Sequence, residues 1–232
     1  MRNLDQANAP LELTRELILS GSIRRAAAAT AGMVLLSEAE IEASLDRTLA
    51  AQPVPGDVWV FGYGSLIWNP AFAYAESRIG LVHGWHRRFC LWTVTSRGTP
   101  EQPGLMLGLD RGGSCRGMAF RLNPAEARHE LDIIWRREMI GGAYRPHWVT
   151  VRTADGPKPG IAFTIDRNHP RYTGPMDDET VARTIAKASG WLGPCSDYIV
   201  KTAASLTALG IRDRALDILK ERVACLKAAM AD

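Results

Sequence analysis

Short apolar segments separated by glycine and polar residues dominate the middle of this 232-residue chain and constrain its fold more than any other feature. They are rich in β-branched and aromatic residues, which favour strands. They cover residues 58–61, 79–82, 89–95, 105–109, 117–122, 148–151 and 161–165. Several short strands at this spacing predict a small, curved, mainly antiparallel sheet or barrel.

Residues 1–55 are predicted to form a helical extension that precedes the main domain, residues 56–232. The first apolar cluster of the extension contains Leu11, Leu13, Leu17 and Ile18. The sequence Ser37-Glu38-Ala39-Glu40 has the spacing of a capping box and predicts a helix with Ile41 and Leu45 on one face. Two prolines and a glycine then end the regular pattern and place the domain boundary there.

Further helices are predicted within and after the strand-rich region. Asn123 is a predicted N-cap because Pro124 and an acidic residue follow it, and this helix should end before Gly141. Later helices are predicted to follow Asp177, to begin near Ser196, and to include the apolar positions 216, 219, 223 and 226. A strand-rich core with helical flanks defines an α+β protein.

The composition is that of an ordinary globular protein, with 46% hydrophobic and 23% charged residues. Its 28 basic and 25 acidic residues are mixed along the chain, so no nucleic-acid partner is expected. No secretion signal and no membrane-spanning stretch are recognised, so no membrane role is predicted. The four cysteines lack the spacing of a zinc site or a disulfide framework and fit reduced thiols in the cytoplasm.

The first candidate binding site is a strand that runs into a loop with two glycines. It comprises Val60, Phe61, Gly62, Tyr63, Gly64, Ser65 and Leu66. Glycines allow the backbone to approach a ligand closely and to turn its N–H groups toward a carboxylate or an oxyanion. The same pattern also serves as a simple tight turn, and it lacks the residues of a dinucleotide fingerprint or a P-loop.

Glu138 is the candidate acid/base residue because it follows Leu131 and Ile134 at helical spacing and so lies on the apolar face of its helix. Burial and the negative end of the helix dipole would both raise the pKa of such a carboxylate toward that of a general base. The alternative is an ion pair with a cation such as Arg137 or Arg145 at the protein surface.

Several motifs, taken in order, resemble the ChaC family of γ-glutamylcyclotransferases. They are Trp59-Val60-Phe61-Gly62-Tyr63-Gly64-Ser65-Leu66-Ile67-Trp68, Arg87-Arg88-Phe89, Arg97-Gly98, Pro103-Gly104, Gly117-Met118-Ala119-Phe120-Arg121-Leu122, Arg137-Glu138-Met139, Gly142-Ala143-Tyr144 and Asp197-Tyr198. The resemblance covers residues 57–223, most of the chain. It implies a small β-barrel flanked by helices and the cleavage of glutathione to 5-oxoproline and cysteinylglycine.

The resemblance also implies roles for individual residues. The family's catalytic glutamate matches Glu138, and its substrate-binding loop matches residues 60–66. Family position further implies that Tyr144 and Tyr198 offer hydroxyl groups and that Arg97 faces the glycyl carboxylate. The expected partner is a small molecule, glutathione or another γ-glutamyl peptide, with no metal or other cofactor. Two alternatives stay open: a non-catalytic regulator that binds a γ-glutamyl metabolite and contacts a partner protein, and an amide hydrolase that activates water.

Overall fold

A closed barrel of five strands forms the centre of the molecule in the computed structural model, which describes residues 13–231. The strands are β1 (Trp59–Gly62), β2 (Glu76–Thr93), β3 (Gly104–Arg121), β4 (Tyr144–Thr153) and β5 (Gly156–Ile165). Around the barrel they follow the order β1-β3-β2-β4-β5. Neighbouring strands in this order are antiparallel except at the closure, where β1 lies parallel to β5, and one further parallel pairing joins β3 to β5. The predicted small, mainly antiparallel barrel is confirmed.

Two of the strands are much longer than the sequence pattern indicated. Most of segments 79–82 and 89–95 lies within β2, and segments 105–109 and 117–122 lie almost entirely within β3. The prediction of short, separate strands is therefore wrong here. The polar stretches between the apolar segments remain paired, because β2 and β3 form one long hairpin whose irregularities fall near residues 84 and 90.

Helices surround the barrel, and three of them begin where local signals predicted, after Ser37, after Asp177 and near Ser196. They are α1 (Arg15–Leu19), α2 (Ser22–Ala28), α3 (Glu38–Ala50), α4 (Ser65–Trp68), α5 (Ala127–Glu138), α6 (Asp178–Lys187), α7 (Cys195–Ala208) and α8 (Arg214–Ala231), with a short hairpin of β6 (Ser189–Gly190) and β7 (Gly193–Pro194) before α7. Ser37 and Glu40 form the predicted capping box of α3, and Asp177 caps α6. Within residues 13–231, no helix is long and apolar enough to cross a membrane.

The start of α5 is the local prediction that is wrong. Asn123 was the expected N-cap, but the N-cap is Glu126. Asn123 instead closes a turn, in which its carbonyl oxygen accepts a hydrogen bond from the Glu126 N–H at 2.9 Å. Asparagine followed by proline is favoured at the start of a β-turn as well as at the start of a helix, which explains the error. The predicted end before Gly141 is confirmed, since α5 ends at Glu138.

The N-terminal helices pack directly on the barrel domain. Ile41 and Leu45 of α3 are buried in the same apolar cluster as Val60 of β1 and Trp135 of α5. The division of the chain after residue 55 stays a prediction. Leu11, a member of the predicted apolar cluster, lies outside the described residues.

Candidate active site

A cavity of about 180 Å³ opens at one end of the barrel, beside α5, α7 and the N-terminal helices. Its walls include eight residues that the sequence predicted as site residues: Tyr63, Gly64, Ser65, Leu66, Arg97, Glu138, Tyr144 and Tyr198. These residues are far apart in the chain, and the barrel brings them together.

Val60, Phe61 and Gly62, also predicted as binding residues, form β1 and do not line the cavity. Val60 and Phe61 are fully buried, and they belong to different apolar clusters because successive side chains of a strand point to opposite faces. These three residues lead into the loop that begins at Tyr63, and their role in binding stays a prediction.

Glu138 is the last residue of α5, and only 15% of its side chain is exposed. Burial raises the pKa of its carboxyl group above the ordinary value of 4.5, and the positive charge of Arg137 offsets part of that rise. Oε1 of Glu138 lies 3.1 Å from Nε of Arg137. The ion pair that the sequence left as an alternative is thus present, but it lies in the cavity wall. Arg145 pairs with Asp166 instead.

Tyr63 and Tyr144 lie close enough to Glu138 to interact with it electrostatically. The Tyr63 hydroxyl donates to the carbonyl oxygen of Phe163 at 2.7 Å, and the Tyr144 hydroxyl donates to that of Leu107 at 2.8 Å. Burial, with neighbouring tyrosine and Glu138 charges, raises the pKa of both phenols, so both stay protonated. Because each hydrogen is already donated, the two oxygens can only accept, which suits an ammonium group.

Tyr198 of α7 packs against the loop that begins at Tyr63 and contains Gly64, which we call the glycine loop. A Cβ atom at Gly64 would lie 2.7 Å from the Tyr198 hydroxyl oxygen, so only glycine leaves room for this contact. The sequence attributed Gly64 to the approach of a ligand, and the structure adds the approach of Tyr198. The Ser65 hydroxyl oxygen accepts a hydrogen bond from Nη2 of Arg137 at 2.8 Å. One guanidinium therefore ties the loop to Glu138.

Arg97 lies in the loop between β2 and β3, and it is buried in the cavity wall. Its Nη1 donates to the carbonyl oxygen of Pro194 at 3.1 Å. Burial lowers the pKa of its guanidinium group. A Cβ atom at Gly98 would lie 2.2 Å from the backbone nitrogen of Gly104, so both glycines are needed for this tight loop. The Arg97-Gly98 and Pro103-Gly104 motifs therefore form one unit that presents Arg97 to the cavity.

Arg171 lines the cavity as well, and sequence reasoning missed it. Its Nη2 donates to the carbonyl oxygen of Gly141 at 3.3 Å, and burial lowers the pKa of its guanidinium. Within the described part of the chain, neither Arg97 nor Arg171 forms an ion pair with a carboxylate, so both suit a ligand carboxylate. A single arginine in a loop after β5 carries no local signal of this role.

Residues of the N-terminal extension complete the cavity, and their contribution was also missed. They are Leu13, Ile23, Ala27 and Met33. The sequence predicted helices here but gave no sign of the surface on which they pack.

The cavity thus combines a buried carboxylate of raised pKa with hydroxyl oxygens that accept hydrogen bonds and two arginines that attract carboxylates. A carboxylate whose pKa is raised by burial is suited to proton exchange, and the arginines favour an anionic ligand. Fold and cavity together are those of an enzyme that acts on a small molecule.

Comparison with known proteins gives the family. The model of the family described as ChaC-like protein matches residues 58–226. The glutathione-specific γ-glutamylcyclotransferase of Escherichia coli strain K12 is 41% identical over 208 residues, which cover 89% of this chain and 90% of that protein. Human glutathione-specific γ-glutamylcyclotransferase 1 is 32% identical over 161 residues, covering 67% of this chain and 72% of that protein. The chain therefore belongs to the ChaC-like protein family.

A solved structure shows the same fold. The crystal structure of a γ-glutamylcyclotransferase specific to glutathione from yeast superposes with a TM-score of 0.67 at 22% identity. The superposition covers 72% of this chain and 96% of the yeast chain. The barrel with flanking helices is thus the fold that the family resemblance implied.

Proposed function

We propose that this protein cleaves glutathione to 5-oxoproline and cysteinylglycine, with Glu138 as its general acid and base. The observation that carries this proposal is the position of Glu138, which is buried in the cavity wall beside the glycine loop. The choice of glutathione as the substrate is supported by the names of the relatives, such as the glutathione-specific γ-glutamylcyclotransferase of Escherichia coli, which is 41% identical.

The reaction is an internal displacement that requires no water. The α-amine of the glutamyl residue attacks its own γ-carbonyl carbon, which closes a five-membered lactam and breaks the amide bond to the cysteinyl nitrogen. Two protons leave the attacking ammonium, and two reach the departing nitrogen. Glu138 takes up and returns these protons, so its carboxylate ends the cycle in its starting form.

The cavity supplies what this chemistry needs around Glu138. The hydroxyl oxygens of Tyr63 and Tyr144 accept hydrogen bonds from the ammonium group and direct it toward the carboxylate. The Leu66 N–H, in the first turn of α4, has no partner within the helix, and it stabilises the oxyanion that forms on the γ-carbonyl oxygen. The Ser65 N–H already interacts with the Tyr198 hydroxyl group. Folding the glutamyl group into this space brings the amine close to the carbonyl carbon.

Two arginines match the two carboxylates of glutathione. Arg97 binds the glycyl carboxylate and Arg171 binds the α-carboxylate of the glutamyl residue. The support is that both guanidinium groups are buried in the cavity wall and that neither forms an ion pair with a carboxylate among residues 13–231, although the charge of Asp197 acts on Arg97. The two arginines have different neighbours, since Arg97 interacts with Asp197 and Tyr198, and Arg171 interacts with Tyr144.

We place the reaction in the cytoplasm. Cys90, Cys115 and Cys195 are free and buried, as expected where glutathione keeps thiols reduced. That compartment also supplies the substrate.

The test is product analysis by mass spectrometry after incubation of the purified protein with glutathione. The proposal predicts 5-oxoproline and cysteinylglycine in equal amounts. Free glutamate instead of 5-oxoproline would indicate hydrolysis, and binding of glutathione without any product would indicate a regulator. Either result would overturn the proposal.

A further inference from the structure

Four apolar residues of the N-terminal extension form one side of the cavity. These residues, which we call the N-terminal wall, are Leu13, Ile23, Ala27 and Met33. Ala27 is buried, and the other three are half-buried. The family model begins at residue 58, so the wall lies outside the region that defines the family.

The wall is attached to both sides of the cavity. Nδ2 of Asn69, next to the end of α4, donates to the carbonyl oxygen of Leu13 at 2.9 Å. At the other end, the Leu36 N–H donates to the carbonyl oxygen of Ile140 at 3.1 Å. Ile140 follows Glu138 by two residues in the chain. The extension therefore bridges the end of α4 and the loop that follows the acid/base residue.

A partly buried ion pair fixes the extension between these two attachments. Nη1 and Nη2 of Arg15 donate to the two carboxylate oxygens of Glu130 at 2.6 and 2.8 Å. Glu130 is 2% exposed, and it also accepts a hydrogen bond from the Ala73 N–H at 2.8 Å. Burial raises the pKa of the Glu130 carboxyl, but its bonds to Arg15 and Ala73 outweigh this effect and the net pKa is lowered. The wall is thus held in a defined position.

Met33 reaches the loop after Glu138. A Cβ atom at Gly141 would lie 2.7 Å from Cε of Met33 and 2.3 Å from Nη2 of Arg171. The methionine side chain and the Arg171 guanidinium therefore meet over the same glycine. An apolar surface consequently borders the polar part of the cavity.

We propose that the N-terminal wall binds the cysteinyl side chain of the substrate and thereby selects among γ-glutamyl peptides. The proposal rests on the proposed function. The glutamyl half carries an ammonium and a carboxylate, which the polar side of the cavity satisfies. The cysteinyl side chain, a methylene and a thiol, gains most from an apolar wall, and the polarizable sulfur of Met33 suits a thiol.

The experiment compares two substrates across three variants. The substrates are glutathione and γ-glutamyl-glycyl-glycine, which lacks only the cysteinyl side chain. Met33→Ala and Ile23→Ala shorten the wall, and Leu19→Ala is the matched control because Leu19 lies on the same extension and is 46% exposed. Release of 5-oxoproline gives kcat and KM, and the glycine analogue is measured as a competitive inhibitor if its turnover is too slow.

Both wall variants are expected to lower kcat/KM for glutathione about tenfold or more through KM, because the loss of one methylene contact in an apolar pocket costs roughly tenfold or more. The glycine analogue should change by less than about twofold, since it makes no contact with the wall. Leu19→Ala should leave both substrates unchanged. Equal losses on both substrates would show a merely structural role, and no loss on either would show no contact; both results overturn the proposal. Failure of the unchanged protein to release 5-oxoproline would instead overturn the proposed function.

Discussion

Nε of Arg137 lies 3.1 Å from Oε1 of Glu138, and the two side chains are 7% and 15% exposed. Adjacent residues of a helix ordinarily point in different directions, so this contact is specific to the end of α5. Burial raises the pKa of the Glu138 carboxyl, and Arg137 lowers it. The pair therefore sets the proton affinity on which the proposed chemistry depends.

Replacing Arg137 should move the pH dependence of the reaction. Arg137→Met removes the charge that lowers the pKa of Glu138, so the acidic limb of the kcat/KM profile should shift to higher pH. Arg136→Met is the matched control, because Arg136 pairs with Asp132 and Glu38 outside the cavity. An acidic limb at the same pH in the Arg137 and Arg136 variants would contradict the role of the pair.

Glu138 should cost stability at neutral pH. Its folded-state pKa is raised above 4.5, so the stability that the protonated form contributes is present below that pH and is lost as pH rises through the folded-state pKa. Glu138→Gln should therefore gain stability relative to the unchanged protein as pH rises from 4.5 toward 8. Urea unfolding at several pH values measures this, with the exposed Glu221→Gln as the control. A constant difference across pH would contradict the raised pKa.

Gly64 and Tyr198 should be energetically coupled. A Cβ atom at Gly64 would lie 2.7 Å from the Tyr198 hydroxyl oxygen, and the next nearest atom, Cδ1 of Leu107, would be 3.6 Å away. Gly64→Ala should thus destabilise the protein less when Tyr198 is phenylalanine, by about 1 kcal/mol or more. Unfolding of the two single variants and the double variant gives the coupling. Additive effects would mean that the hydroxyl does not restrict residue 64.

Arg97 and Arg171 should respond differently to a change in the substrate. Glutathione and its glycyl amide differ only in the glycyl carboxylate. Arg97→Met should lower kcat/KM for glutathione about tenfold or more and have little effect on the amide, whereas Arg171→Met should lower both equally. The reverse pattern would exchange the two assignments, and unaffected kinetics in both variants would refute them.

Local signals predicted much of this fold. The capping box of Ser37 and Glu40 and the cap at Asp177 depend on residues three apart, so the sequence alone contains the whole interaction. The helical spacing that placed Glu138 on an apolar face is equally local. The predicted N-cap at Asn123 was wrong, because asparagine followed by proline is favoured both at a turn and at the start of a helix.

Interactions over long sequence distances explain what the sequence did not show. The polar middle of β2 is a strand because β3 supplies its hydrogen-bonding partners, and Gly84, with a φ of 81°, lies at an irregularity in that pairing. Arg171 and Met33 meet over Gly141 only after the barrel has formed and the extension has packed on it. Neither residue belongs to a motif, so periodicity and capping rules could not find them.

The most direct test of the account is the turnover of Glu138→Gln with glutathione, measured as 5-oxoproline released by the folded variant. Loss of general acid/base catalysis should lower kcat at least about a hundredfold, while the variant still binds glutathione in calorimetry. Glu126→Gln, an exposed glutamate at the other end of α5, should keep full activity. Turnover of Glu138→Gln within about tenfold of the unchanged protein would contradict the assignment of Glu138 as the acid/base residue.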